Sequence, residues 1–115
     1  MGVGIEHAGN IAIVVAEGRF IRAEPVDELD AAFTKLLDDE RYDRILLDMT
    51  GMEFLRSISI GVIATAHDKA RKRGAHLYLC GMNRRNRSAF ELMKFGPQLA
   101  VFDTRDQALE ALKKA

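Results

Sequence analysis

The sequence contains little of what builds a disulfide or a metal site. Cys80 is the single cysteine among 115 residues, which excludes an internal disulfide and any CxxC pair. The histidines His7, His67 and His76 fall on different predicted elements without ligand spacing. We therefore expect no metal and no other cofactor, and we interpret Cys80 as a small core residue of a buried strand.

An excess of one charge and long apolar runs are also missing. The 17 basic and 17 acidic residues cancel, which disfavours a general nucleic-acid binder. A basic cluster without interleaved aromatic residues is interpreted as a solvated helix face: Arg84, Arg85, Arg87 and Lys94. No apolar run approaches the roughly 20 residues of a membrane span, and residues 1–7 do not resemble a signal peptide. We expect a cytoplasmic protein with no membrane span and no nucleic-acid partner.

The remaining composition is that of one globular domain. Hydrophobic residues make up 48% of the chain and charged residues 30%, a balance typical of folded rather than disordered proteins. A chain of 115 residues can bury one ordinary core and leaves no room for a second domain. Because the chain also lacks a linker or a repeat, we expect residues 1–115 to form a single domain.

Hydrophobic periodicity predicts strands and helices that alternate along the chain. Short apolar runs typical of strands occur at 3–7, 11–16, 20–22, 45–47, 76–80 and 99–102. Four helices are predicted with their boundary signals: one from Pro25, one from near Ser57 to Gly74, one from Asn83 to Gly96-Pro97, and one behind a capping box of Thr104 and Gln107. In the third helix, Ala89, Leu92 and Met93 share the face expected to be buried.

This order predicts an α/β fold with a short mixed β-sheet covered by about four helices. Residues 45–80 are expected to form a parallel strand-helix-strand unit. Functional residues of such sheets gather beyond the carboxyl ends of the strands. The candidate site therefore lies in the segment 48–61, whose polar residues are Asp48, Thr50, Glu53, Arg56, Ser57 and Ser59.

Ser57 lies where the N-cap of the second helix is expected, and two interpretations of it stay open. As a cap, its hydroxyl accepts a backbone N–H bond and stabilises the helix by about 1 kcal/mol. As a phosphoserine, it places a charge of roughly −2 at the positive end of the helix, where the fold tolerates it and a docked partner is repelled. An enzyme that uses Ser57, His67 and Asp48 is disfavoured, because the helix separates Ser57 from His67 by ~15 Å.

The stretch from Ile45 to Ile63, ILLDMTGMEFLRSISIGVI, resembles the core motif of STAS domains, and KRGA at 72–75 followed by LYLCG at 77–81 also matches the family. STAS domains occur in bacterial anti-sigma-factor antagonists and in the cytoplasmic tails of sulfate transporters. The resemblance implies a STAS-like sandwich over the whole chain and no catalysis. The family's phosphorylated serine falls on Ser57, while Asp48, Thr50 and Gly61 match other motif positions.

Several motif positions depart from the family pattern. Arg56 stands where an acid normally precedes the phosphoserine, Ile58 replaces the following Ser/Thr, and Ser59 replaces the first motif glycine. The upstream Gly-Glu-apolar-Asp signature reads GRFI at 18–21 and lacks its terminal acid. Arg56 would bind a phosphate by a charge-assisted bond instead of repelling it. The same arginine would alter complementarity to a kinase that expects an acid.

The resemblance implies an anti-sigma-factor antagonist in partner-switching regulation of transcription. Its partners would be an anti-sigma factor with serine kinase activity and a serine phosphatase, bound around Ser57, Asp48, Thr50, Arg56, Ser59 and Gly61 and along the helix 58–73. A non-switching STAS scaffold in a sensory assembly, or an accessory subunit of a transport system, is the alternative. A small ligand or nucleotide in the strand-end crevice also stays open.

Overall fold

A computed structural model describes residues 2–19, 23–92 and 99–115. The elements are β1 (Gly2–Ala8), β2 (Ile11–Gly18), α1 (Ala23–Leu37), β3 (Arg44–Met52), α2 (Ser57–Arg73), β4 (His76–Cys80), α3 (Arg84–Leu92), β5 (Val101–Phe102) and α4 (Arg105–Lys113). Their alternation confirms the predicted α/β class. The strand predicted at 20–22 and the helix end predicted at Gly96-Pro97 lie outside the described residues.

The five strands form one mixed sheet in the order β1-β2-β3-β4-β5. β1 pairs antiparallel with β2, and every other neighbouring pair is parallel. The predicted parallel unit is confirmed, since β3 and β4 are parallel neighbours joined by α2. The carboxyl ends of β3 and β4 therefore meet at one end of the sheet, and both the β3–α2 loop and the start of α3 begin there.

Side chains that alternate along β3 divide the interior into two layers. Ile45, Leu47 and Met49 belong to the larger hydrophobic cluster, which α1 and α2 cover. Leu46 faces the other way, into a smaller cluster with Cys80 and the inward residues of α4. The same alternation directs the side chains of residues 48 and 50 to the α4 face.

The predicted helix signals are largely confirmed. The inward face of α1 is buried at Val26, Leu29, Phe33, Leu36 and Leu37. Gly74 stops α2 with φ of 77°, a left-handed conformation that favours glycine. Asn83 caps α3 by accepting the Asn86 N–H at 2.8 Å, and Thr104 caps α4 by accepting the Gln107 N–H at 3.2 Å.

The predicted buried face of α3 is wrong. Leu92 is 80% exposed and Ala89 is half-buried, while Met93 lies outside the described residues. Asn86 and Phe90 are the buried side chains instead, one helical turn apart. The periodicity misled because Asn86, a polar residue that hydropathy assigns to the surface, is buried. Within the described residues, no helix is both long and apolar enough to cross a membrane.

Candidate partner-binding site

Asp48 lies at the centre of a polar network on the α4 face. One carboxylate oxygen accepts the Thr50 N–H at 2.9 Å and the Thr50 hydroxyl at 2.6 Å. The other oxygen accepts the Arg105 Nε–H at 2.8 Å, and the same guanidinium donates to Glu6 at 2.9 Å. The network therefore ties β3 and β1 to the first residue of α4.

The network changes the ionisation of its members. Burial by itself would raise the pKa of Asp48, but hydrogen bonds from Thr50 and Arg105 outweigh it and the pKa is lowered. Hydrogen bonds to Glu6 and Asp48 raise the pKa of Arg105. Burial, together with the neighbouring Asp48 charge, raises the pKa of the Cys80 thiol to about 12. Asp48 is thus a fixed anion with committed oxygens, and Cys80 is a fully buried thiol that stays protonated at neutral pH.

Thr50 lies on the strand end next to the backbone of Gly81. Gly81 has φ of 78°, and a Cβ built on it would meet the Thr50 hydroxyl and lie 2.8 Å from the Thr50 backbone nitrogen. Only glycine avoids both the backbone strain and this contact. Thr50 therefore packs directly against the backbone of Gly81, where the ends of β3 and β4 meet.

Ser57 is the first residue of α2, which corrects its prediction as the N-cap. The N-cap is Arg56, with extended backbone (φ −92°, ψ 161°), and its side chain makes no cap hydrogen bond. The Ile60 N–H donates to the Arg56 carbonyl at 3.0 Å, which closes the first helical turn. Ser57 is exposed, and its backbone is already helical, so its hydroxyl does not have the cap geometry.

The next residues of α2 alternate between surface and core. Ile58 is 58% exposed and Gly61 is exposed with open space around its Cα. Ser59 is fully buried, and its Oγ has no hydrogen-bond partner among the described residues. Ser59 therefore belongs to the packing of α2, whereas Ser57, Ile58 and Gly61 face outward.

Two asparagines at the start of α3 clamp the loop between β3 and α2. The buried Asn86 amide accepts the Leu55 N–H at 2.8 Å and donates to the Met52 carbonyl at 3.0 Å. Asn83 donates to the Glu53 carbonyl at 3.2 Å. The Glu53 N–H in turn donates to the Gly18 carbonyl at 2.8 Å. The loop leading into Ser57 is thus held by side-chain amides of α3 on one side and by a backbone bond to the end of β2 on the other.

The predicted site residues divide into two groups. Asp48 and Thr50 point to the α4 face, where Asp48 accepts hydrogen bonds from both Thr50 and Arg105. Arg56, Ser57, Ile58 and Gly61 open a helix that packs on the opposite face. Among the described residues, no group of three or more His, Cys, Asp and Glu side chains could hold a metal ion.

Comparison with known proteins decides the family. The sequence model of the STAS domain family matches residues 3–108. The chain belongs to the STAS domain family. A comparison with curated proteins found no significant match. Among solved structures, an anti-sigma factor antagonist from Mycobacterium paratuberculosis has a TM-score of 0.85 at 20% identity, over 96% of this chain and 92% of that chain.

Three further structures share this STAS fold. The anti-sigma factor antagonist SpoIIAA in its unphosphorylated form has a TM-score of 0.79 at 14% identity, over 99% of this chain and 100% of that one. Its phosphorylated form, from Bacillus, has a TM-score of 0.76 at 14% identity, over 96% of this chain and 98% of that one. The murine anion transporter Slc26a9 has a TM-score of 0.78 at 16% identity, over 96% of this chain and 19% of the transporter. The predicted STAS-like sandwich is confirmed.

Sequence reasoning about this STAS domain missed two functional neighbours of the site. Arg105 follows the predicted cap Thr104, yet nothing along the chain pairs it with Asp48, which is 57 residues away. Asn86 is the third residue after the cap Asn83, a position that predicts a bond from the Asn86 N–H to the cap side chain. It does not predict that the Asn86 side chain is buried and binds the Leu55 N–H and the Met52 carbonyl. Both contacts join elements that meet only in the folded sheet.

Proposed function

We propose that this STAS domain is an anti-sigma-factor antagonist, a protein-binding module controlled by phosphorylation of Ser57. The observation that carries the proposal is the position of Ser57. It is exposed, it opens α2, and it stands between the exposed residues Arg56 and Ile58 at the end of a clamped loop. A kinase can reach the Ser57 hydroxyl, and the added negative charge would act on a partner bound there.

The proposed switch requires no rearrangement of the domain. The unphosphorylated surface binds an anti-sigma factor that also has serine kinase activity, and the sigma factor is released. Phosphorylation adds a charge of roughly −2 at the helix N-terminus, where backbone N–H groups and the helix dipole accommodate it while the bound partner is repelled. A serine phosphatase restores binding. SpoIIAA, with its phosphorylated and unphosphorylated structures, supports a STAS fold that accommodates such a group.

The domain itself is proposed to act in the cytoplasm by binding, not by catalysis. Asp48 is engaged by Thr50 and Arg105, and the Cys80 thiol is buried with a raised pKa, so neither is poised as a base or a nucleophile. Asp48 and Thr50 are assigned to the support of the strand ends. Arg56, Ser57 and Gly61 are assigned to the partner surface, and Ser59 to the seating of α2 beneath it.

Kinase treatment tests the switch. The protein is incubated with ATP and the anti-sigma kinase of the same genome, and intact mass is measured. We expect a gain of one phosphoryl group that disappears in Ser57→Ala and persists in the control Ser88→Ala, a variant of an exposed serine in α3. Complex formation with the kinase should be lost on phosphorylation. Modification that is unchanged in Ser57→Ala would contradict the proposal.

A non-switching STAS scaffold is the second candidate, in a sensory assembly or as an accessory component of a transport system. It is favoured by the motif departures Arg56, Ile58 and Ser59, and a STAS domain inside a transporter is represented by Slc26a9. The same experiment separates the two. Partner binding that is intact without any mass gain at Ser57 supports the scaffold and rejects the switch.

A further inference from the structure

The loop before Ser57 carries an aromatic ring held between two arginines. The Arg19 guanidinium carbon lies 5.4 Å from the Phe54 ring centroid, and that of Arg85 lies 4.8 Å from it. Both distances are within the range of cation–π attraction. Arg19 also approaches the Glu53 carboxylate at 3.5 Å. Residues from the end of β2, the β3–α2 loop and α3 therefore orient these two cations together.

These residues form a positively charged patch on a chain of zero net charge. We call it the arginine–phenylalanine surface and define it as Arg19, Glu53, Phe54, Arg56, Ser57, Ile58 and Arg85. It holds three arginines and one carboxylate. The three arginines, Ser57 and Ile58 are exposed, and Ile58 is one of two large apolar side chains exposed among the described residues.

A second basic cluster of the same domain differs from this surface in how its cations are paired. Arg71 and Lys72 lie near the end of α2, and both pair with Asp68, at 2.8 Å and 3.0 Å. One carboxylate thus serves two cations within a single helical turn. In the arginine–phenylalanine surface, one carboxylate, Glu53, pairs with Arg19, and the uncharged Phe54 ring contacts both Arg19 and Arg85. Oriented guanidinium groups lose less conformational entropy when they bind carboxylates.

We propose that the arginine–phenylalanine surface binds an acidic segment of the partner protein. Carboxylates of that segment pair with Arg19 and Arg85, and an apolar side chain of the segment packs on Ile58. The inference rests on the proposed function, because it specifies the chemistry of the partner that docks around Ser57. It also assigns a role to Arg56, which replaces the acid of the family motif and adds attraction for an acidic partner.

Because the arginine–phenylalanine surface is positively charged, phosphorylation of Ser57 is expected to lower its affinity for an acidic segment. A phosphoryl group on Ser57 brings roughly −2 charge beside Arg56 and offsets the positive charge that attracts the partner. Arginine also forms strong charge-assisted bonds to phosphate oxygens. Phosphorylation therefore lowers affinity both by repelling the acidic segment and by engaging the arginine that would bind it.

Peptide binding tests the inference with the intact protein. Two labelled synthetic 12-residue probes are used, one of alternating Asp, Glu and Leu and one in which Asn and Gln replace the acids. Fluorescence anisotropy should detect binding of the acidic probe, weakened about tenfold between low and physiological salt. The neutral probe should not bind. The double variant Arg19→Gln/Arg85→Gln should lose about tenfold in affinity, and Ser57→Asp should weaken binding in the same direction.

The matched control is Lys113→Gln/Lys114→Gln, which removes two exposed cations at the end of α4, on the other face of the sheet. We expect it to bind the acidic probe like the unmodified protein. Equal losses in both double variants would mean diffuse attraction and would overturn the inference. So would failure of the acidic probe to bind, or tighter binding of a single-stranded RNA of equal charge. Far-UV circular dichroism and Tm check that every variant is folded.

The two proposals fail separately. Ser57 phosphorylation by the kinase, without binding of the acidic probe, rejects the acidic segment and leaves the proposed function intact. Binding of the acidic probe that depends on Arg19 and Arg85, without any phosphorylation, retains the surface and rejects the switch.

Discussion

At the scale of single residues, burial separates the motif positions that support the fold from those of the proposed partner surface. Asp48 is buried and engaged by Thr50 and Arg105. Ser57 and Ile58 are exposed at the start of α2. An acid at the end of a buried strand invites a catalytic interpretation, yet its hydrogen bonds assign it to holding α4 on the sheet. The proposed partner surface consists of the exposed residues.

Acid should destabilise the domain through Asp48. Its pKa is lower in the folded protein than in the unfolded chain, so its stabilising effect is present above the unfolded pKa of about 3.9 and lost as pH falls through the lower folded value. Asp48→Asn should cost about 1–3 kcal/mol in free energy of unfolding at neutral pH. The cost should shrink below about pH 4. Urea unfolding across pH measures both.

Asp39→Asn serves as the control for that pH series. Asp39 is half-buried and pairs at 2.7 Å with the exposed Arg41, and hydrogen bonds from Arg41 lower its pKa to about 2. Salt screens exposed pairs more than buried ones, so the effect of Asp39→Asn should vanish at about 0.5 M salt while that of Asp48→Asn persists. Equal salt sensitivity of the two variants would contradict the structural role of Asp48.

Gly81→Ala should be more destabilising than a change at another left-handed glycine. Its Cβ would meet the hydroxyl of Thr50 and lie 2.8 Å from that residue's backbone nitrogen, whereas a Cβ at Gly74 has open space. Gly74→Ala should therefore cost only the left-handed backbone penalty, about 1–2 kcal/mol. Gly81→Ala should cost at least about 1 kcal/mol more. Thermal and urea unfolding measure the stability of both variants. Equal losses in free energy of unfolding would show that Thr50 moves aside at no cost.

At the scale of elements, the start of α2 is positioned by a different helix. Asn86 of α3 satisfies the Leu55 N–H and the Met52 carbonyl, and Asn83 binds the Glu53 carbonyl. The loop therefore presents Ser57 in a conformation that its own residues do not specify. The proposed partner surface therefore depends on contacts between α3 and the loop before α2.

Asn86→Ala should loosen this loop. The substitution leaves the Leu55 N–H without its acceptor and the Met52 carbonyl with only the 3.5 Å bond from Asn83, which costs about 2–3 kcal/mol in free energy of unfolding. Amide hydrogen exchange at Leu55 should accelerate more than the global change explains. Asn86→Asp keeps the acceptor for Leu55 and should retain more protection than Asn86→Ala. Unchanged exchange at Leu55 in the alanine variant would rule out the clamp.

At the scale of the whole molecule, one sheet separates two unequal layers. The larger layer under α1 and α2 lies beneath the proposed partner surface, and the smaller layer under α4 contains Cys80 and adjoins the Asp48 network. The net charge of zero is unevenly distributed. Arg19, Arg56 and Arg85 face outward near Ser57. A neutral chain can therefore present a cationic surface at one end.

The Cys80 thiol should report unfolding of the whole molecule. It is fully buried in β4, and its pKa is raised to about 12. Labelling by a thiol reagent should be slower than for an unfolded control by about a thousandfold or more, because reaction requires opening of the core. The free energy from labelling should match that from urea unfolding. Labelling as fast as in the unfolded chain would contradict the burial.

Much of the fold follows from local pattern. The apolar face of α1, the strand at 45–47 and the stop at Gly74 were predictable because burial and turn chemistry act within a few residues of each other. The two errors, Ser57 as a cap and Leu92 as core, arise where α3 meets the β3–α2 loop. There the amide of Asn86 takes an inward position that hydropathy assigns to an apolar residue.

The sequence by itself determined the α/β order, the STAS family through its motif, and Ser57 as the residue of interest. Only the tertiary structure decided that Asp48 pairs with Arg105, that Asn86 holds the loop, and that Arg19 and Arg85 share the ring of Phe54. Periodicity and capping are short-range, so they can be read along the chain. Hydrogen bonds and cation–π contacts between distant residues exist only once the sheet has brought its strand ends together.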